Sequence, residues 1–206
     1  PDEGKYTVNG TYCLKNETGK AISEIWISLN PQVNLFAVVI TGAKKGMADE
    51  TFKQQFLTLN SPMLPGDTIK MSFAITVFKT GFTPFDKENS IVKNGSYIEL
   101  EKFVPHLGYS YNFESDDKRA RKQYSLTEKP VEQTFSRNYE LIDFETTIST
   151  NHDQQVLTVG ELQKSWLADN RRYFSYKTAM PVNFMFALSS ARYEVRKEQY
   201  KGVALS

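Results

Sequence analysis

The sequence predicts an all-β fold with minor α, an antiparallel sandwich or curled sheet, on three observations. Aromatic residues are abundant, with two Trp, eleven Tyr and fourteen Phe, and aromatic and β-branched residues favour strands. Several short segments alternate apolar and polar with a period of two. Turn signals punctuate them, among them Leu64-Pro-Gly-Asp67 and Asn94-Gly95. At 206 residues the chain can bury about 70% of its unfolded surface, so its core needs no disulfide or metal.

Lys5 to Leu14 alternates, with Tyr6, Val8, Tyr12 and Leu14 on one face and Thr7, Asn9 and Thr11 on the other. Cys13, the only cysteine, lies in this pattern and is read as a small buried apolar side chain. Asn16-Glu-Thr-Gly19 is turn chemistry. Ile22 to Leu29 follows, with Ile25, Ile27 and Leu29 sharing a face and Trp26 opposed. Val33 to Thr41 is apolar on both faces, the pattern of a strand covered on both sides or of a buried edge.

Phe52 to Leu59 is a further strand. Pro65 and Gly66 then occupy the two central positions of a type II turn. The strand after it has Ile69, Met71, Phe73, Ile75 and Val77 on one face. Asn94-Gly95 between Ile91-Val-Lys93 and Tyr97-Ile-Glu-Leu100 is a hairpin signal. Ser115 to Lys122 starts with a cap and acids and ends basic, which suits one to three turns of exposed helix. Strands resume at Tyr139–Ser149, with Ile142, Phe144 and Ile148 inward, and at Gln155–Val159, Glu161–Leu167, Arg171–Thr178 and Leu188–Lys197. One domain over residues 1–206, with a short helical insertion near 115–124, accounts for this pattern.

Composition narrows function. The net charge of +1 comes from interspersed signs, which gives no basic face for nucleic acid or anionic lipid. No apolar run approaches the roughly 18–20 residues that span a bilayer. Pro1-Asp2-Glu3 offers neither an initiator Met nor a signal peptide, and the end at Ser206 has no polar tail. The expectation is a piece cut from a longer chain.

Catalytic motifs are missing. Zinc hydrolysis needs three or more protein ligands, and the two histidines, His106 and His152, stand in separate segments outside any His-Glu-x-x-His pattern. His152-Asp153 suits a hairpin loop. His106, in Val104-Pro-His-Leu-Gly-Tyr109, suits a structural role in a turn or a place in a binding site. No Gly-x-Ser-x-Gly elbow is present, and Glu99, Glu101, Asp116 and Asp117 read as solvated strand ends and a helix start. The Asn-x-Ser/Thr triplets at Asn9, Asn16 and Asn94 read as ordinary turn and strand-end sequence. Tyr109, Tyr111 and Phe113 could form an aromatic patch for sugar stacking, or they could pack in a core or an interface.

Several stretches resemble a known family. Tyr6-Thr-Val-Asn-Gly-Thr-Tyr-Cys-Leu-Lys-Asn16, Gly19-Lys-Ala-Ile22, Ile25-Trp-Ile-Ser-Leu29 and Leu64-Pro-Gly-Asp-Thr-Ile-Lys-Met-Ser-Phe73 resemble the N-terminal domain of the aminopeptidase N family of zinc metallopeptidases. A bacterial subgroup, in which an ABC transporter permease is fused to an aminopeptidase-like region, is similar at Ile91-Val-Lys-Asn-Gly95, Phe103-Val-Pro-His-Leu-Gly-Tyr109 and Asp117-Lys-Arg-Ala-Arg-Lys-Gln-Tyr-Ser-Leu126. That similarity continues at Ile148-Ser-Thr-Asn-His-Asp-Gln154, Val159-Gly160, Trp166, Arg172-Tyr-Phe-Ser-Tyr-Lys-Thr178 and Ser190-Ala-Arg-Tyr-Glu-Val195.

The resemblance implies a saddle-like β-sandwich ahead of a thermolysin-like catalytic domain. The zinc ligands and the catalytic Glu then belong downstream, so this fragment carries no cofactor and no catalytic residue. Its implied partners are that peptidase-like domain, flanking membrane segments and a peptide substrate, on the extracytoplasmic (periplasmic) side of a membrane. His106, Tyr109, Glu114 and Arg121 are the candidate cleft-facing residues. Ala120-Arg121 echoes the family's Pro-x-x-Ala-Arg segment, whose Pro is absent here. The alternative is a stand-alone extracytoplasmic sandwich that binds carbohydrate or a protein partner.

Overall fold

A computed structural model describes residues 4–50, 53–78, 91–92, 95–108, 115, 117–127, 141–194, 198–200 and 203–205. In chain order the strands are β1 (Lys5–Lys15), β2 (Ile22–Ser28), β3 (Leu35–Ile40), β4 (Ala43–Asp49), β5 (Gln54–Met63), β6 (Thr68–Phe78), β7 (Ile91–Val92), β8 (Gly95–Glu99) and β9 (His106–Leu107). After the single helix described, α1 (Lys118–Gln123), come β10 (Leu141–Ile142), β11 (Glu145–Asn151), β12 (Gln155–Thr158), β13 (Glu161–Ala168), β14 (Arg171–Lys177), β15 (Val182–Asn183), β16 (Ala187–Ala191), β17 (Glu198–Tyr200) and β18 (Val203–Leu205). The fold is all-β and antiparallel, of sandwich type. The chain divides into two compact units, residues 6–78 with 102–138, and residues 1–5 with 79–101 and 139–206.

The first unit packs two sheets on one core. One sheet has the order β1-β6-β3 and the other β4-β5-β2-β9. Ile40 and Met71 from the first meet Ile27, Leu57, Leu59 and Met63 from the second. The predicted alternation of β6 is what makes this possible: Met71, Phe73 and Ile75 are all buried on one side. Gly10 serves the same face from β1, because a Cβ there would lie 2.2 Å from the Phe73 ring. The Leu64–Asp67 turn forms as read. Gly66 has φ +88, and the Asp67 amide donates to the Leu64 carbonyl at 3.0 Å, the geometry of a type II turn.

Asn16 is the keystone between two turns. It is buried, and its Nδ2 donates to the carbonyls of Lys20 at 2.9 Å and Met63 at 2.8 Å. Its Oδ1 accepts from the Thr18 amide and hydroxyl at 2.9 and 2.7 Å. Its backbone amide donates to the Asp67 carbonyl, and its carbonyl accepts from the Gly66 amide. The β1–β2 turn is thereby bound to the β5–β6 turn.

Three readings of this unit need correction. Cys13 is exposed, not buried. With Tyr12 and Leu14 on the inner face of β1, a period of two sends the residue between them outward. Strand β3 is an edge, and cover reaches only one of its faces, since Leu35 and Val39 are exposed. Strand β4 went unread because Ala43-Lys-Lys-Gly-Met-Ala-Asp49 is almost wholly exposed and lacks alternation.

Tyr6 and Tyr12 sit on the inner face of β1, edge-on to Phe103 and tilted against Phe73. Burial pushes both phenols above the ordinary tyrosine range. The unfolded chain therefore releases these protons near pH 10 while the folded chain still holds them. Their contribution to stability is complete below about pH 10 and declines as pH rises toward the raised folded values. Urea midpoints between about pH 8 and 11.5 should fall on the alkaline side, and Tyr12→Phe should flatten that fall. Equal slopes for the two proteins would refute the assignment.

The second unit contains the sheets β12-β16-β8-β7, β11-β14-β13, β10-β15 and β17-β18. The Asn94-Gly95 hairpin forms in register, with Ile91 opposite Ser96 and Val92 opposite Gly95. Val156, Phe174 and Tyr176 are buried together with Ile148 packed against them. The Tyr176 hydroxyl, held protonated by burial, donates to the Val156 carbonyl at 2.6 Å. The strand predicted over Tyr139–Ser149 is two pieces, β10 and β11, separated by Asp143 and Phe144. In β13 a register shift between Leu162 and Lys164 sets Leu162 opposite Tyr176 and Leu167 opposite Arg172.

Candidate functional site

Of the four candidate cleft-facing residues, His106 and Arg121 are described. Tyr109 and Glu114 lie outside the described residues, as do Tyr111 and Phe113 of the aromatic patch. His106 opens β9, the two-residue edge strand beside β2, where it pairs with Ser28 and Leu107 pairs with Ile27. Gly108 ends the strand at φ +73, and its amide donates to the Trp26 carbonyl at 2.7 Å. Beside it Trp26 stacks on Phe56, with centroids 5.4 Å apart. His106 itself is half-buried, in a Pro/Gly-framed turn that seals the edge of the sheet.

Arg121 is held by a loop it organises. Asp117 caps α1, its side chain accepting from the Arg119 amide at 2.8 Å, so the segment after it turns helical as the capping residue and charge order predict. The Arg121 side chain is 8% exposed. Its Nη1 donates to the Ser115 carbonyl at 3.1 Å, and its Nε and Nη2 donate to the Thr127 carbonyl. A buried guanidinium engaged with backbone carbonyls on both sides of a six-residue helix fixes the path of residues 115–127. It is a positioning group for whatever that loop presents.

The acidic pairs do not form a site. Glu99 and Glu101 are half-buried rather than solvated, one at the end of β8 and the other in a 3₁₀ turn over Leu100–Lys102. Asp117 is the helix cap. Among the described residues no three His, Cys, Asp or Glu side chains are grouped so as to hold a metal ion. The donor set does not fit zinc. No described helix is long and apolar enough to cross a membrane.

The structure adds polar groups that local sequence did not flag. His152 and Asp153 form the β11–β12 turn as read, and the Asp153 carboxylate accepts from Arg192 Nε at 2.6 Å. Beneath it, Gln154 is buried with Thr150 and Ser190. The Thr150 and Ser190 hydroxyls donate to Gln154 Oε1 at 2.6 and 3.0 Å. This network ties β11 to β16 inside the second unit. On the open side of the β11-β14-β13 sheet, Trp166 stacks on Tyr173 at 5.2 Å, and Lys164 Nζ lies 5.2 Å from the Trp166 centroid. Contacts of tens of residues' separation, such as Asp153 with Arg192, carry no local signal.

These elements define a class: an all-β, antiparallel sandwich without a metal-binding cluster among its described residues. Its likeness to known proteins lies in fold. No protein-family model matches the sequence, and no curated protein matches it. Solved structures do. A two-domain M1 zinc metallopeptidase variant bound to L-tryptophan superimposes with a TM-score of 0.59 at 14% identity, over 100% of this chain and 43% of that one. The M1 zinc metallopeptidase from Deinococcus radiodurans gives 0.58 at 13%, over 97% of this chain and 40% of that one. A variant of the Deinococcus radiodurans enzyme bound to a Tyr-Ser-Ala substrate gives 0.56 at 13%, again over 100% of this chain and 43% of that one. The chain thus spans about two-fifths of the length of these metallopeptidases.

Proposed function

We propose that the chain is the non-catalytic N-terminal accessory domain of a longer aminopeptidase-like protein of the M1 zinc metallopeptidase type. It packs on a downstream peptidase-like domain and walls one side of its substrate cleft. The observation that carries this reading is coverage: the whole chain is accounted for by 40–43% of two-domain metallopeptidases. Zinc and the hydrolytic groups belong to the other part. The patches quoted above favour a membrane-anchored parent, of the kind fused to an ABC transporter permease, with this domain on the extracytoplasmic side. His106 and the loop organised by Arg121 are the parts of the chain assigned to the cleft wall.

The test is direct. With zinc and aminoacyl reporters, the 206-residue chain should give no turnover above buffer, and the full-length protein should carry His-Glu-x-x-His downstream with apolar spans elsewhere. Robust zinc-dependent turnover by this chain alone sinks the accessory reading. The Trp166–Tyr173 stack does not supply an open sugar platform. One face of Trp166 is taken by Tyr173, and Lys164 stands against the ring as well.

A further inference from the structure

Strand β3 carries six apolar residues in succession, Leu35, Phe36, Ala37, Val38, Val39 and Ile40. Such a strand suits cover on both sides. Ile40 and Val38 join the core, yet Leu35 is 61% and Val39 62% exposed. Across the sheet, Leu35 lies opposite Thr76, Ala37 opposite Ala74 and Val39 opposite Ser72. On the far side of β6, the Thr7 hydroxyl meets that of Thr76 at 3.3 Å, and the Thr11 hydroxyl meets that of Ser72 at 3.4 Å.

These rows hold no charged side chain, in a chain that is 24% charged. The contrast within the molecule is sharp. The open side of the β11-β14-β13 sheet carries Arg171, Lys164 and a Lys177–Glu145 ion pair. The hydroxyls on the β1-β6-β3 face bond sideways to one another, so they keep a partner when water is removed. Small side chains leave the face flat enough for a second layer at about 10 Å.

We propose that this open face of the β1-β6-β3 sheet is an interface, covered in the native protein by another domain of the same polypeptide that presents an uncharged, apolar surface. The inference rests on the reading that the chain is one part of a longer protein. Area selects the occupant. Three strands about 4.8 Å apart and roughly five residues long make a footprint on the order of 250 Å². A stable pair of separate chains needs about 800 Å² per partner. A patch this small holds a tethered domain, whose effective concentration is set by its linker, and does not hold a free second copy. A charged partner would find no counter-charge on it.

Cys13 is the reporter. It is the only cysteine in this chain, it is exposed, and alternation along β1 places it on the same face as Thr7 and Thr11. Maleimide should label Cys13 at the rate of an open thiol in the 206-residue chain. In the full-length polypeptide, peptide mapping should show labelling slowed by roughly tenfold or more. Val39→Lys should restore the fast rate there.

Equal rates in both proteins overturn the proposal. So does labelling that slows in the short chain as its concentration rises, which would mean that a second copy covers the face. A peptidase-like domain whose cross-links map elsewhere, with Cys13 still fast, removes the interface and leaves the accessory reading standing. A full-length protein without any peptidase-like domain removes the accessory reading, while slowed Cys13 would still support the interface.

Discussion

Phe174→Ala is expected to cost about 3–5 kcal/mol of folding stability, measured as a lower urea midpoint at unchanged slope. Phe174 is 2% exposed at the centre of β14. It packs with Val156, Tyr176 and Ile148. Truncation removes most of a ring from water-free packing and leaves a cavity lined by side chains fixed in sheet registers. Those neighbours cannot collapse without breaking ladder hydrogen bonds, so the upper part of the range applies. For a chain of this size each kcal/mol lowers Tm by about 2–4 °C. Phe174→Leu should recover most of the loss. A loss below about 1 kcal/mol for Phe174→Ala would show that the Val156 cluster is not a working core.

Asn16→Ala is expected to cost about 2–4 kcal/mol, although it deletes only a small polar group. The substitution strands the Met63 carbonyl, which Nδ2 reaches across 47 residues of sequence. It also removes the acceptor shared by the Thr18 amide and hydroxyl. Stranded buried groups carry their full desolvation penalty. Asn9→Ala, on the exposed face of the adjoining β1, is the control and should stay within about 0.5 kcal/mol of the parent. Similar losses at both positions would mean that Asn16 acts through strand propensity and not through its bonds. Asn16→Asp should also be damaging, because a carboxylate cannot donate to the Lys20 and Met63 carbonyls.

The sequence made the local physics legible. Leu64-Pro-Gly-Asp67 specified its turn type because Gly66 alone accepts the positive φ. The period of two in β6 named its buried face correctly, and Asp117 with the basic residues after it located α1. Long-range and negative information was hidden. Asn16 looked like turn punctuation, since its partner at Met63 is set by topology. Strand β4 has no core face of its own and is a strand only because β5 pairs with it. Cys13 was misjudged by weighing residue type above parity, which its neighbours Tyr12 and Leu14 had already decided. The candidate site was legible as an absence of motifs, whereas the engagement of Arg121 with two backbone carbonyls required the folded loop.

The register shift in β13 has a consequence for how this strand tolerates change. Leu162 and Leu167 are five positions apart, so simple alternation assigns them to opposite sides. One extra residue reverses the phase, and both leucines end on the side that carries Phe174 and Tyr176. The eight residues of β13 are thus two short strands of opposite phase joined end to end. Removing one residue at Gln163 would restore an unbroken alternation. It would bring Leu162 round to the side of Trp166, exchanging the inner and outer inventories of half the strand without altering a single remaining side chain.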